Sequence, residues 1–151
     1  MSKKLKELGG IVYFKPEKQK YNNMKEYHES NFFDFESLEL YKKSLDYVDF
    51  VYDCTKHFPK EELFGLTSQF RDAANSISLN IGEGYGESIP LALRYLRITR
   101  GSIRECLVCS TIAVRRKYMN ATEYSQSRER LVELSKLSAG YRKYLNSKLT
   151  K

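Results

Sequence analysis

Four arginines, Arg94, Arg97, Arg100 and Arg104, recur at spacings of three, three and four residues. On a helix turning about 100° per residue they fall within an arc of roughly 120°, so they form a cationic stripe. Arg115, Arg116 and Lys117 follow on the same segment, where cations suit a helix C-terminus. Such a stripe can neutralise phosphates without reading bases. It can equally meet acidic residues of a neighbouring subunit, or remain a solvated helix face. The residue types by themselves leave these three uses open.

Other groups point less clearly to chemistry. Cys106 and Cys109 form a Cys-x-x-Cys pair flanked by Leu107 and Val108 in mid-helix. A redox pair sits at a helix N-terminus, where the thiolate is stabilised, and a zinc site needs two further ligands at suitable spacing. Cys54, His57 and His28 lack that pattern, so the thiols are expected to pack in the core. Gly82-Glu83-Gly84-Tyr85-Gly86 has the glycines of a phosphate loop, but a helix precedes it where a dinucleotide fingerprint needs a strand. There is no Glu-x-x-His of a di-iron bundle, and His57, two residues before Pro59, suits a helix end. No catalytic residue, metal or cofactor is expected.

The elements that position these residues follow from the pattern of the chain. Its 151 residues with net charge +7 suit one domain. Three prolines and eight glycines leave long uninterrupted stretches. No apolar run reaches the roughly 20 residues of a membrane span. Met1-Ser2-Lys3-Lys4-Leu5-Lys6 lacks the apolar region of a secretory signal. With only three cysteines, the expected compartment is the cytoplasm. Residues 1–31 carry seven lysines against four glutamates and are broken by Gly9-Gly10, Lys15-Pro16 and Asn22-Asn23. They read as a basic, mostly irregular arm, with Ile11-Val12-Tyr13-Phe14 as a short docking strand.

Residues 32–151 read as an all-α domain, an up-down-up-down four-helix bundle. Leu38, Tyr41, Leu45, Val48, Tyr52 and Thr55 form one row of the first helix, and Leu40, Ser44, Tyr47, Val51, Cys54 and Phe58 a second. The second helix, expected over about 62–83, has Leu66, Phe70, Ala74, Ile77 and Ile81 as its apolar row. Gly82, Gly84 and Gly86 are expected to end it through cheap positive-φ positions. The third starts at Ser88 and carries Ala92, Leu96, Thr99, Ile103, Cys106, Ser110 and Ala113. The fourth begins after Thr122, with Tyr124, Ser127, Leu131, Leu134, Ser138, Tyr141 and Leu145 inside and Gly140 interrupting it. Short connections make neighbours antiparallel. Residues 34–87 hold five Lys or Arg against eleven acids, and residues 88–151 hold fourteen against four. The first hairpin is therefore acidic and the second basic, which is complementary across a head-to-tail interface.

Beside the apolar row of the second helix runs a small or polar row, Gln69, Ala73, Ser76, Asn80 and Glu83. Counting outward from the Tyr85–Glu87 turn puts Glu83 near Arg94 and Ser76 near Gly101. Gly101 and Ser76 are expected to let the second and third helices approach, while Asn80 and Glu83 bond across. Tyr47, Tyr52, Tyr95, Tyr118, Tyr124, Tyr141 and Tyr144 suit subunit contacts, with stacking on unpaired bases as their other use.

The segment from Phe58 to Glu105 carries an ordered set of motifs: Phe58-Pro59, Glu62-Leu63-Phe64-Gly65-Leu66-Thr67, Gln69-Phe70-Arg71, Ala73, Ser76-Ile77, Asn80-Ile81, Glu83-Gly84, and Arg100-Gly101-Ser102 with Glu105. It resembles the bacterial four-helix bundle family that includes proteins encoded within intervening sequences of 23S ribosomal RNA genes, often labelled S23 ribosomal protein. The resemblance covers about residues 32–145. Ser78 stands where that family usually has proline, and Gly82 where it has alanine. These departures imply a straighter second helix with a looser end. More distantly the chain is similar to the accessory variability determinant of diversity-generating retroelements, a basic pentamer that works with a reverse transcriptase and nucleic acid. The resemblance implies a homo-oligomer, commonly a pentameric ring, without established enzymatic activity. The function expected from residues and resemblance together is association with RNA or DNA, structured RNA first, through Arg94, Arg97, Arg100, Arg104, Arg115, Arg116 and Lys117. The alternative is a protein-binding scaffold whose arginines meet acidic surfaces of its own copies or of a partner protein.

Overall fold

A computed structural model describes residues 7–8, 11–12 and 33–149. The chain divides into two compact units, Met1–Phe32 and Phe33–Lys151. In the first, β1 (Glu7–Leu8) and β2 (Ile11–Val12) pair antiparallel, Glu7 opposite Val12 and Leu8 opposite Ile11. The rest of the expected arm, Tyr13 and Phe14 included, lies outside the described residues.

The second unit is a four-helix bundle: α1 (Glu39–Thr55), α2 (Leu66–Gly84), α3 (Ile89–Arg115) and α4 (Ala121–Leu149). Each helix packs on its two neighbours, α1 on α2 and α4, and α3 on α2 and α4, while the backbones of the diagonal pairs stay farther apart. That square arrangement follows from the short connections. Short 3₁₀ turns at Asp34–Ser37 and Lys60–Glu62 precede α1 and α2.

The core selects between the two rows of α1. Leu40, Ser44, Tyr47, Val51, Cys54 and Phe58 are all buried, whereas Leu38, Tyr41, Leu45 and Val48 are half-buried flanks. The apolar rows of α2 and α3 face inward as their spacing requires, with Leu66 at the margin. Tyr47 is fully buried and shares a hydrogen bond of 2.9 Å with Ser127 of α4, so it serves the core and not a subunit contact. Arg71 of α2 ties back to α1, its Nε donating to Thr55 Oγ1 at 2.8 Å and its guanidinium lying 4.7 Å from the centre of the Tyr52 ring. Lys43 of α1 pairs with Glu133 of α4 at 3.3 Å.

Helix ends depart from the sequence pattern in three places. First, α2 starts at Leu66 and not near residue 62, because Lys60–Glu62 close a 3₁₀ turn and Gly65 leaves the helical region. Glu62 then acts as the cap, its Oε2 accepting the Leu66 N–H at 3.0 Å. Second, of Gly82, Gly84 and Gly86 only Gly86 has positive φ; the helix runs through Gly82 to Gly84. Third, α4 begins at Ala121. Asn120 Oδ1 accepts the Glu123 N–H and Glu123 Oε2 accepts the Asn120 N–H, both at 2.8 Å. Asn120-Ala121-Thr122-Glu123 is therefore a reciprocal capping box. Gly140 lies inside an unbroken helix. The end of α3 is a Schellman motif: Lys117 takes φ 61°, its N–H bonds Val114 O at 3.1 Å, and the Tyr118 N–H bonds Ala113 O at 2.9 Å.

Candidate functional site

The α2–α3 seam is built from small groups. Ser102 is buried and its Oγ donates to Ser76 Oγ at 2.9 Å; Asn80 Nδ2 donates to Ser76 Oγ at 3.0 Å and to Ser76 O at 2.7 Å. Ser102 thus bonds across the seam, whereas Asn80, expected to bond across, turns back to Ser76 four residues earlier on its own helix. The close approach itself is at Gly84, where an added Cβ would lie 2.7 Å from Tyr95 Cβ.

Gly101 is not at that contact. It is exposed, with open space where its Cβ would be. Antiparallel register set by Ser76 and Ser102 turns the neighbouring residue outward. Glu83 is also exposed and makes no ion pair with Arg94 among the described residues, and Gln69 and Glu105 are exposed as well. The motif therefore splits into an inner part, Ser76, Asn80 and Ser102, and an outer part, Gln69, Glu83, Gly101 and Glu105.

On the other flank of α3 the seam opens. A cleft of about 510 Å³ is lined by Arg100, Ile103 and Arg104 of α3 and by Ser135, Ala139, Arg142, Lys143 and Asn146 of α4. A second cleft of about 340 Å³ shares Arg100, Arg142 and Asn146 and adds Leu93 and Arg97. Together they form one groove whose described lining residues include five cationic side chains and no acidic one. None of the five is in an ion pair among the described residues. Like charges gathered in a cleft raise a positive potential that draws anions. Arginine adds a planar fork that matches phosphate oxygens. Arg97 to Arg104 spans about 10.5 Å of helix axis, close to the rise of three nucleotides on one duplex strand.

The structure thus gathers Arg97, Arg100 and Arg104 from the sequence-predicted set. Arg94 is exposed but does not line the groove. Arg115, Arg116 and Lys117 are exposed at the far end of α3, beyond Arg104 by about 16 Å from Arg115 on. Sequence reasoning missed Arg142, Lys143 and Asn146. Their signal was present: Arg142-Lys143 sits on α4 one flank away from the inner row, opposite Arg100 in an antiparallel pair.

The remaining candidates are structural. Cys54, Cys106 and Cys109 are free and buried. Burial pushes the thiols of Cys54 and Cys109 up to about 11 and raises that of Cys106 as well, which disfavours thiolate chemistry. Among the described residues no three His, Cys, Asp or Glu side chains cluster to hold a metal ion, and no helix is long and apolar enough to cross a membrane. A third cleft of about 500 Å³, lined by Leu38, Gly84, Tyr85, Gly86, Glu87, Ala92, Tyr141, Tyr144 and Leu145, has no cation among its described lining residues.

A family model described as 23S rRNA-intervening sequence protein matches residues 36–140. No curated protein matches the chain.

Proposed function

From a chain that belongs to the 23S rRNA-intervening sequence protein family, we propose a non-enzymatic protein that binds nucleic acid, structured RNA first, along the α3–α4 groove. The observation that carries this is the set of five cations, Arg97, Arg100, Arg104, Arg142 and Lys143, gathered in one groove with no ion pair among the described residues. The described residues of the groove lining include no aromatic side chain for base stacking. Binding is therefore to phosphates, with little base preference. Arg115, Arg116 and Lys117 extend the basic surface at the end of α3, and Arg94 at its outer side. The protein works inside the cell as a homo-oligomer, a ring of five by the family resemblance noted from its motifs.

Titration of the full chain with ribosomal RNA fragments at several salt concentrations tests the groove. Five phosphate contacts give a log–log salt slope of about −3.5 to −4.5. A slope near zero, or no binding at low salt, rejects it. The charge split between the hairpins favours a second reading, a scaffold whose basic surface meets acidic surfaces of neighbouring subunits or of a partner protein. Burial of the five groove cations between subunits would select that reading, since a sealed guanidinium cannot reach a phosphate.

A further inference from the structure

The third cleft, of about 500 Å³, lies at the end of the bundle where α2 turns into α3, and its composition is unlike that of the basic groove. Tyr85, Tyr141 and Tyr144 supply three aromatic rings. Leu38, Ala92 and Leu145 supply aliphatic surface. Glu87 is the one charged side chain among its described lining residues. A volume of this size suits a small molecule.

The side chains set the sign of the ligand. The starts of α1 and α3 and the ends of α2 and α4 share this end of the bundle, so their partial charges offset. The face of an aromatic ring is its negative part and attracts a cation. Glu87, exposed in the turn, adds a full negative charge. Burial, with Tyr85 and Tyr144 close by, holds the Tyr141 phenol above its ordinary pKa, so it offers a neutral ring at physiological pH. Tyr141 and Tyr144 lie nearly parallel, 14° apart with ring centres separated by 6.3 Å. Tyr144 already carries a cation of the chain itself: Lys148 Nζ, one turn further along α4, lies 5.2 Å from the centre of its ring.

The supply of hydrogen-bond acceptors narrows the class. A primary ammonium brings three donors to satisfy, and Glu87 is the single carboxylate of the described lining. A quaternary ammonium has no N–H. Aromatic faces and one opposite charge hold it, and its methyl groups match the aliphatic surface of Leu38, Ala92 and Leu145. Phosphate is unsuited to a cleft whose described lining residues include a carboxylate and no cation.

We infer that this cleft binds a small quaternary-ammonium cation. The site is separate from the α3–α4 groove and does not depend on the nucleic-acid reading of that groove.

Isothermal titration of the full chain tests it with two compounds, choline and its uncharged analogue in which a tert-butyl group replaces the trimethylammonium. The two share a shape and differ in charge. The expected result is one choline bound per chain, with the analogue at least about tenfold weaker. Glu87→Gln and Tyr144→Leu, both at exposed positions, should each weaken choline binding by about two- to fivefold with unchanged helical circular dichroism. Equal affinity for the two compounds overturns the inference, because the cleft is then only apolar. No saturable binding at millimolar choline overturns it as well, and so does unchanged choline affinity in both folded variants. If Tyr144→Leu loses its helical signal, Glu87→Gln decides by the same criterion.

Discussion

Helix α3 has two seams, and they are built oppositely. Towards α2 the contact is closed: Gly84 lies against Tyr95, and Ser102 bonds Ser76 across it while Asn80 bonds Ser76 within α2. Towards α4 it opens into a groove because the flanking positions carry Arg97, Arg100, Arg104, Arg142 and Lys143. Long cationic side chains keep their heads in water and repel one another, so they line a groove and do not fill one. One helix thus serves as a structural joint on one side and as an electrostatic surface on the other. Residue size decides the first role and uncompensated charge the second.

The closed seam breaks most severely at its tightest point. Gly84→Leu places side-chain atoms into Tyr95, whose Cβ cannot withdraw without its backbone, and should cost about 3 kcal/mol or more. Urea unfolding should show it as a lowered midpoint, and an unchanged midpoint would move the close contact elsewhere. At the open seam, the double variant Arg100→Gln with Arg104→Gln should leave stability within about 0.5 kcal/mol of wild type while weakening RNA binding at least about tenfold at low salt. The magnitude of its salt slope should fall by about 2. Equal binding by the variant would detach the groove from nucleic acid.

Two smaller effects sharpen the contrast. Ser102→Ala removes the donor to Ser76 and should destabilise by about 1 kcal/mol without altering RNA binding. Lys117→Gly relieves a side chain held at φ 61° in the turn that brings α4 alongside α3. It should gain up to about 1 kcal/mol, read as a higher melting temperature. Loss of stability there would mean that Lys117 makes a compensating interaction.

Much of the bundle was legible in the chain. Every member of the α3 row from Ala92 to Ala113 is buried, because a 3.6-residue period with one apolar side admits a single inward orientation. The α1 rows were less decisive: two adjacent rows share the period, and only packing against α2 and α4 made the row through Tyr47 and Val51 the centre. The site was half legible. Three arginines of α3 were visible as a stripe, but the contribution of α4 depends on which of its flanks meets α3. Gly101 and Ser102 are adjacent in sequence and face opposite ways, a difference of one residue that counting from a turn does not resolve.

The sequence by itself determined four amphipathic helices, their antiparallel order, an acidic and a basic half, and the family of residues 36–140. These depend on local periodicity, composition and short motifs, all carried within a few tens of residues. Tertiary structure decided which small residue sits at the close contact, Gly84 and not Gly101, and which cations converge, Arg142 and Lys143 with Arg97, Arg100 and Arg104. Both depend on the rotation of one helix about its axis against another. Side-chain packing along the whole interface sets that angle, and no single segment encodes it.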